Sequence, residues 1–118
     1  MENNDMKRFS GMVGMAMRAG KIVVGCDVIC TALSKGSVKL VVIASDASDA
    51  TKKRLSNKTK FYNVPAVEAP VESDRLGALI GKTYAPAAIA VSDAGFAEEI
   101  KRASENMRKE VFAPSENR

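Results

Sequence analysis

The chain has 118 residues, 46% of them hydrophobic but only 5% aromatic and none Trp, which fits one domain with an aliphatic core. It has no histidine and two cysteines, which removes Ser-His-Asp and Cys-His nucleophilic sites and any Cys/His or four-thiolate zinc site; no acid pair or nucleophile–base set is present, so an enzyme is not expected. The net charge is +4, yet residues 51–60 alone carry +5 through Lys52, Lys53, Arg54, Lys58 and Lys60, a patch suited to a polyanion or, equally, to solvating one helix face.

In chain order, a first helix is predicted from Met6 to Ala19. Met6, Phe9, Val13, Ala16 and Met17 recur there at three- and four-residue steps, after an Asn4 or Asp5 cap and before Gly20. Gly11 and Gly14 weaken this helix but allow a close neighbour. Ile22–Val24 reads as a short strand, and Gly25 turns the chain into a second helix, about Asp27–Ser34, stopped by Gly36. The β-branched run Val38–Ala44 predicts a strand covered on both faces. The loop Ser45–Ser48 then caps a short basic helix from about Asp49 to Asn57.

Val64–Val67 is a third strand, which Pro65 assigns to an edge or to a strand start. Pro70 and Glu72/Ser73 open a fourth helix carrying Leu76, Leu79 and Ile80, closed by Gly81. Ala87–Val91 is the fourth strand. Ser92-Asp93 caps a last helix with Phe96, Ile100, Ala103 and Met107 on one face and a Glu98–Arg102 pair on another. Strands alternating with helices predict an α/β fold with βαβ crossovers and helices on both faces of one sheet. A single domain is expected over residues 1–112, with 113–118 as a disordered tail.

Several patterns carry no chemistry. Gly14 to Lys21 has the look of a phosphate loop, but it is one residue too long, precedes a strand and has Ile22 where a hydroxyl should hold magnesium. Gly11-Met12-Val13-Gly14 has the spacing of a KH loop but lies inside a helix pattern with apolar middle residues. No dinucleotide fingerprint follows a strand. Asp46 and Asp49 are better read as helix caps than as catalytic acids. Cys26 and Cys30, one helical turn apart, read as two reduced thiols. No apolar run approaches the roughly 20 residues of a bilayer span, and the N-terminus lacks a signal-like basic and apolar region, so a cytoplasmic protein without a membrane partner is expected.

The informative segment is Gly20 to Leu33, a strand, a glycine turn and a helix start. Free N–H groups and the positive end of the helix dipole suit phosphate there, and Gly25 permits close approach. Two further loops are candidates: Ser45–Ser48 after the covered strand, and Gly81-Lys82-Thr83-Tyr84-Ala85-Pro86 before the last one.

Taken together, the order and spacing of several pieces resemble the ribosomal L-seven-Ae/L-thirty-e family of RNA-binding proteins over about residues 6–105. These are Lys21-Ile22 with Gly25, Ala32 to Lys39 leading into Leu40-Val41-Val42-Ile43-Ala44-Ser45-Asp46-Ala47, Asn63-Val64-Pro65, Leu76-Gly77-x-x-Ile80-Gly81 and the Ala-rich last strand. With Asp46-Ala47-Ser48 and Thr51-Lys52-Lys53, the chain is most similar to short bacterial, ribosome-associated members.

The resemblance implies a three-layer α-β-α sandwich with a four-stranded mixed sheet. It also implies binding of structured RNA, either ribosomal RNA or a kink-turn (sharply bent RNA with tandem sheared G·A pairs), and association with the ribosome, with no small-molecule cofactor. Contacts carried over from it are Gly25, Asp27, Val28 and Thr31, then Lys82, Thr83, Tyr84 and Ala85. Lys21 and the Lys52/Lys53/Arg54 patch are expected to supply further charge where they face the same way. Two positions depart from the kink-turn pattern Gly-x-Asn-x-x-x-Lys. Asp27 replaces Asn and only accepts hydrogen bonds, and Thr31 replaces Lys, so a contact worth ~1–3 kcal/mol is altered at each. The alternative is a protein-interaction module on the same fold that has lost kink-turn specificity.

Overall fold

The computed structural model of the protein describes residues 4–112, with the side chains of residues 4–107. The nine expected elements form in the expected order. They are α1 (Asn4–Arg18), β1 (Ile22–Val24), α2 (Cys26–Ser34), β2 (Leu40–Ile43), α3 (Asp49–Phe61), β3 (Ala66–Glu68), α4 (Ser73–Leu79), β4 (Ala88–Val91) and α5 (Ala94–Phe112). The tail expected at 113–118 lies outside the described residues.

The strands form one mixed sheet in the order β1-β4-β2-β3. β4 is antiparallel to both β1 and β2, and β3 is parallel to β2. The central strands β2 and β4 are buried along their whole length, as their unbroken apolar sequences predict. β3, the strand next to Pro65, is at an edge.

Side-chain alternation along the strands sorts the core into two layers. Leu40, Val42, Ile89 and Val91 point to one face and pack with Phe9, Val13 and Ala16 of α1, Leu76 of α4, and Ile100, Ala103 and Met107 of α5. Val41, Ile43, Ala88 and Ala90 point to the other and pack with Ile29 and Leu33 of α2 and Leu55 of α3. The result is a three-layer α-β-α sandwich.

Helix ends explain where sequence boundaries and structure differ. α1, α2 and α4 each close with a left-handed glycine (Gly20, Gly36, Gly81), whose N–H and that of the next residue bond back to the last turn. α3 uses the same device with Asn63 (φ 58): Asn63 N–H donates to Lys60 O and Val64 N–H to Thr59 O. The helix therefore runs to Phe61, four residues beyond the Asn57 expected. Because the Val64 amide is spent on that closure and Pro65 has no N–H, β3 begins at Ala66 rather than Val64. β2 is likewise shorter than Val38–Ala44, although Lys39 N–H and Ala44 N–H still bond to Val91 O and Ala87 O at its two ends.

Candidate nucleic-acid interface

Strand direction determines which loops meet. The C-terminal end of β1 pairs with the start of β4 (Val24 with Ile89), and so does the C-terminal end of β2 (Ile43 with Ala88). One end of the sheet therefore collects Gly25 with the start of α2, the loop Ser45–Ser48 with the start of α3, and the loop Lys82–Ala87 leading into β4. These are the three loops singled out in the sequence. Lys21 is not brought there: it precedes β1 at the other end of that strand, where its carbonyl accepts from Ser92 N–H at 2.9 Å.

Gly25 has φ 101 and ψ 139, a backbone region that suits glycine and few other residues. It launches α2 directly from β1. The first helical bond is Ile29 N–H to Gly25 O at 2.8 Å, so the N–H groups of Cys26, Asp27 and Val28 have no helical carbonyl to reach. No side chain caps them. The starts of α3, α4 and α5 differ. Ser48 Oγ accepts from Thr51 N–H, Asp46 Oδ1 from Ser73 N–H and Asp93 Oδ2 from Phe96 N–H. Among these four helix starts, α2 alone presents its amides uncapped by a side chain.

Ile29 and Leu33 bury one face of α2, and Asp27, Val28 and Thr31 stand on the exposed face. Val28 is 56% exposed, a large apolar side chain left in water beside the open amides. Thr31 turns its hydroxyl back onto its own helix, donating to Asp27 O at 3.1 Å. The Asp27 carboxylate accepts from Arg54 Nη2 of α3 at 2.8 Å. That bond, with the nearby Cys30 thiol and the Asp27 charge, holds the Arg54 guanidinium even more firmly protonated than usual. The carboxylate in the place of an amide is thus partly offset by a cation from the neighbouring helix. Burial pushes the Cys26 thiol up, against the opposing influence of Arg54, and both cysteines are free.

The basic run divides by function. Lys52 reaches back to Ser45 O at 3.2 Å and pairs with Glu68 at 3.1 Å, so it fixes the Ser45–Ser48 loop against β3. Arg54 ties α3 to α2. Lys53 is exposed between them. Asp46 is a cap, but of α4: Ser73 donates to it through both its N–H and its hydroxyl. The Ser73 backbone donor, with the hydroxyl and Lys52 adding to it, holds the Asp46 carboxyl below its ordinary value.

In the last loop Lys82, Thr83, Tyr84 and Ala85 are all exposed, Tyr84 to 54%. Gly77 of α4 positions them. A Cβ there would collide with the Tyr84 carbonyl and come within 3.1 Å of Pro86 Cδ, so only glycine lets the loop lie on the helix. Arg54 and Gly77 are the residues whose roles sequence reasoning missed. Arg54 gives no local signal, because its partner is 27 residues away; Gly77 was visible only as part of a matching motif.

An α-β-α sandwich with an uncapped glycine-led helix start beside a glycine-seated loop defines a class of fold, and sequence comparison names the family. The profile of the ribosomal protein L7Ae/L30e/S12e/Gadd45 family matches residues 7–101, and the chain belongs to that family. It is 39% identical over 90 residues to RNA-binding protein YlxQ of Bacillus subtilis, covering 75% of this chain and 87% of the relative. It is 38% identical over 80 residues to the large ribosomal subunit protein eL30 of Methanosarcina mazei, covering 68% and 74%. Among solved structures, a Bacillus halodurans protein of unknown function superposes with a TM-score of 0.77 at 32% identity, over 82% of this chain and 96% of that one. A Giardia lamblia 15.5kD RNA binding protein shares the fold (TM-score 0.71, 14% identity, 92% and 91% covered). Among the described residues no helix is long and apolar enough to cross a membrane.

Proposed function

We propose that this protein binds structured RNA in the cytoplasm, as a ribosome- or ribosomal-RNA-associated protein, through the sheet end where α2, α3 and the Lys82–Ala85 loop begin. The observation that carries this reading is the contrast among helix starts: three are closed by side chains, and the one led by Gly25 is left open beside exposed Val28 and Tyr84. Open amides serve phosphate oxygens or base edges, and the two apolar side chains serve the faces of unstacked bases. The relatives named for RNA binding and for the large ribosomal subunit support it.

The finer reading is a bent RNA of the kink-turn kind. Gly25, Asp27, Val28 and Thr31 would meet the bend from one side and Lys82, Thr83, Tyr84 and Ala85 from the other, with Lys53 near the flanking backbone. Asp27, held by Arg54, would accept from a guanine N1–H and amino group. Titration against a kink-turn RNA and an unkinked duplex at two salt concentrations tests both levels. Tighter binding to the bent RNA, weakening with salt as phosphate contacts release counterions, is expected. Equal weak binding to both would sink kink-turn recognition. No binding to either, or to ribosomal RNA, would favour a protein partner instead.

A further inference from the structure

The opposite end of α3 is also built unlike an ordinary surface. α2 and α3 both end there, beside the entries to β2 and β3. Lys35 and Lys39 come from the α2–β2 connection, Lys58 and Lys60 from the last turn of α3. The segments of α2–β2 and α3–β3 that supply this region, residues 28–45 and 50–67, contain no Asp or Glu; Glu98 of α5 lines a neighbouring cavity with Lys39 and Pro65, but its carboxylate is paired with Arg102. None of the four lysines is in an ion pair among the described residues.

Cations at helix C-termini offset the negative pole of the dipole, which accounts for Lys58 and Lys60 but not for their neighbour. Phe61 is 79% exposed, more than any other exposed large hydrophobic residue described. Tyr62 meets it edge-on, ring centroids 4.8 Å apart at 86°, so the Phe61 ring has a fixed neighbour while most of its surface stays in water. Lys58 lies one turn back from Phe61 and Tyr62 on the same helix surface. A cavity of about 360 Å³ adjoins, lined by Tyr62, Asn63, Lys39 and Ser34 among others and by no acid. The Asn63 carboxamide offers it a donor and an acceptor.

An exposed ring and an open cavity of mixed polar and apolar lining among four unpaired cations match the chemistry of single-stranded nucleic acid, a π-face with phosphates on either side. A protein partner would be served by the ring but not by the uncompensated charge. We propose that this end is a second RNA contact, where an unpaired base stacks on Phe61 and the adjoining phosphates lie among Lys35, Lys39, Lys58 and Lys60. It is separated from the Gly25 end by the length of α3, roughly 20 Å. The two contacts would therefore grip different stretches of RNA.

The chain has no tryptophan, so Phe61→Trp places a single indole reporter at the site. Titration with a short oligouridine should quench its emission, and inorganic polyphosphate should not. Phe61→Ala should bind oligouridine at least roughly fivefold more weakly than wild type. Its melting temperature should be unchanged, because the side chain is exposed. Quenching should persist when Tyr84→Ala is added. An unquenched indole, quenching by polyphosphate alone, loss of quenching with Tyr84→Ala, or an unaltered oligouridine affinity in Phe61→Ala would each overturn the proposal. Failure here leaves the Gly25 end untouched, since that site is read on structured RNA with Phe61 intact.

Discussion

The two faces of the sheet are covered by helices with different work. On one face α1, α4 and α5 interlock through Phe9, Val13, Leu76, Ile100 and Met107, and none of the proposed RNA contacts lies on α1 or α5. On the other, α2 buries only Ile29 and Leu33, and α3 only Leu55 and Thr59. The rest of these two helices is exposed or only partly buried, and they carry the open amides, Val28, Asp27, Lys53 and Arg54. The fold thus concentrates its packing on one side and carries most of the proposed recognition chemistry on the other. The less heavily packed layer is the one expected to open first.

The sharpest way to break this contrast is to truncate one fully buried side chain on each face. Ile100→Ala, on the heavily packed side, should destabilise the whole domain by about 2–5 kcal/mol in urea unfolding. Leu55→Ala should cost the lower part of that range, about 2–3 kcal/mol, because fewer buried neighbours surround it. Its effect should be seen mainly as faster amide exchange in α2 and α3. Equal protection of α3 and α5 in the wild type, with equal losses from both substitutions, would erase the distinction.

Gly77→Ala comes next. α4 belongs to the packed face, yet its glycine seats the Lys82–Pro86 loop of the proposed interface, so this substitution probes where the two functions touch. A methyl group colliding with the Tyr84 carbonyl should cost about 1–3 kcal/mol of stability as overpacking. It should also weaken structured-RNA binding, because the loop must lift. Tyr84→Ala and Lys82→Ala should weaken binding without lowering the melting temperature. If Gly77→Ala loses stability but keeps full RNA affinity, the seat does not matter to the site.

A smaller effect is expected at the Asp27–Arg54 pair. Both side chains are exposed, so Arg54→Ala should leave the melting temperature essentially unchanged. RNA affinity should fall and the salt dependence should flatten, since a cation is lost and Asp27 is left uncompensated beside the open amides. If Arg54→Ala binds as wild type, the pair merely ties α2 to α3.

These residues also show where sequence reasoning reaches and where it stops. Element order, the two covered strands, the edge position next to Pro65 and the glycine helix stops at Gly20, Gly36 and Gly81 were all local signals, readable from residue type and spacing. Asn63 was harder, because an asparagine closes a helix through a positive φ that its sequence neighbours do not demand, and the end of α3 was misplaced for that reason. The three candidate loops were each visible, but their gathering at one end depends on β4 lying antiparallel between β1 and β2. Nothing local encodes that register, and it also separates Lys21 from the group. The basic run was legible as charge. That Lys52 would face Glu68 and Arg54 would face Asp27 is a tertiary fact, and it leaves Lys53 the one of the three without an ion pair among the described residues.

The mildest test concerns Asp46, which joins the two faces: it stands in the loop before α3 and accepts from Ser73 at the start of α4. Donors that favour the ionised carboxyl lower its value in the folded state relative to the unfolded chain. The sign follows from linkage: the stabilisation is fully present above the ordinary aspartate range and is lost as pH falls through the lower folded value, where the folded carboxyl takes up its proton. Asp46→Asn keeps one acceptor for the Ser73 amide but cannot titrate. Wild type should therefore be the more stable of the two near neutral pH, and the gap in their urea midpoints should narrow as the pH is lowered below the aspartate range. A gap that stays constant through that range would mean that the charge on Asp46 does not contribute to holding α4 against the α3 loop. The cap would then be a matter of hydrogen-bond geometry alone.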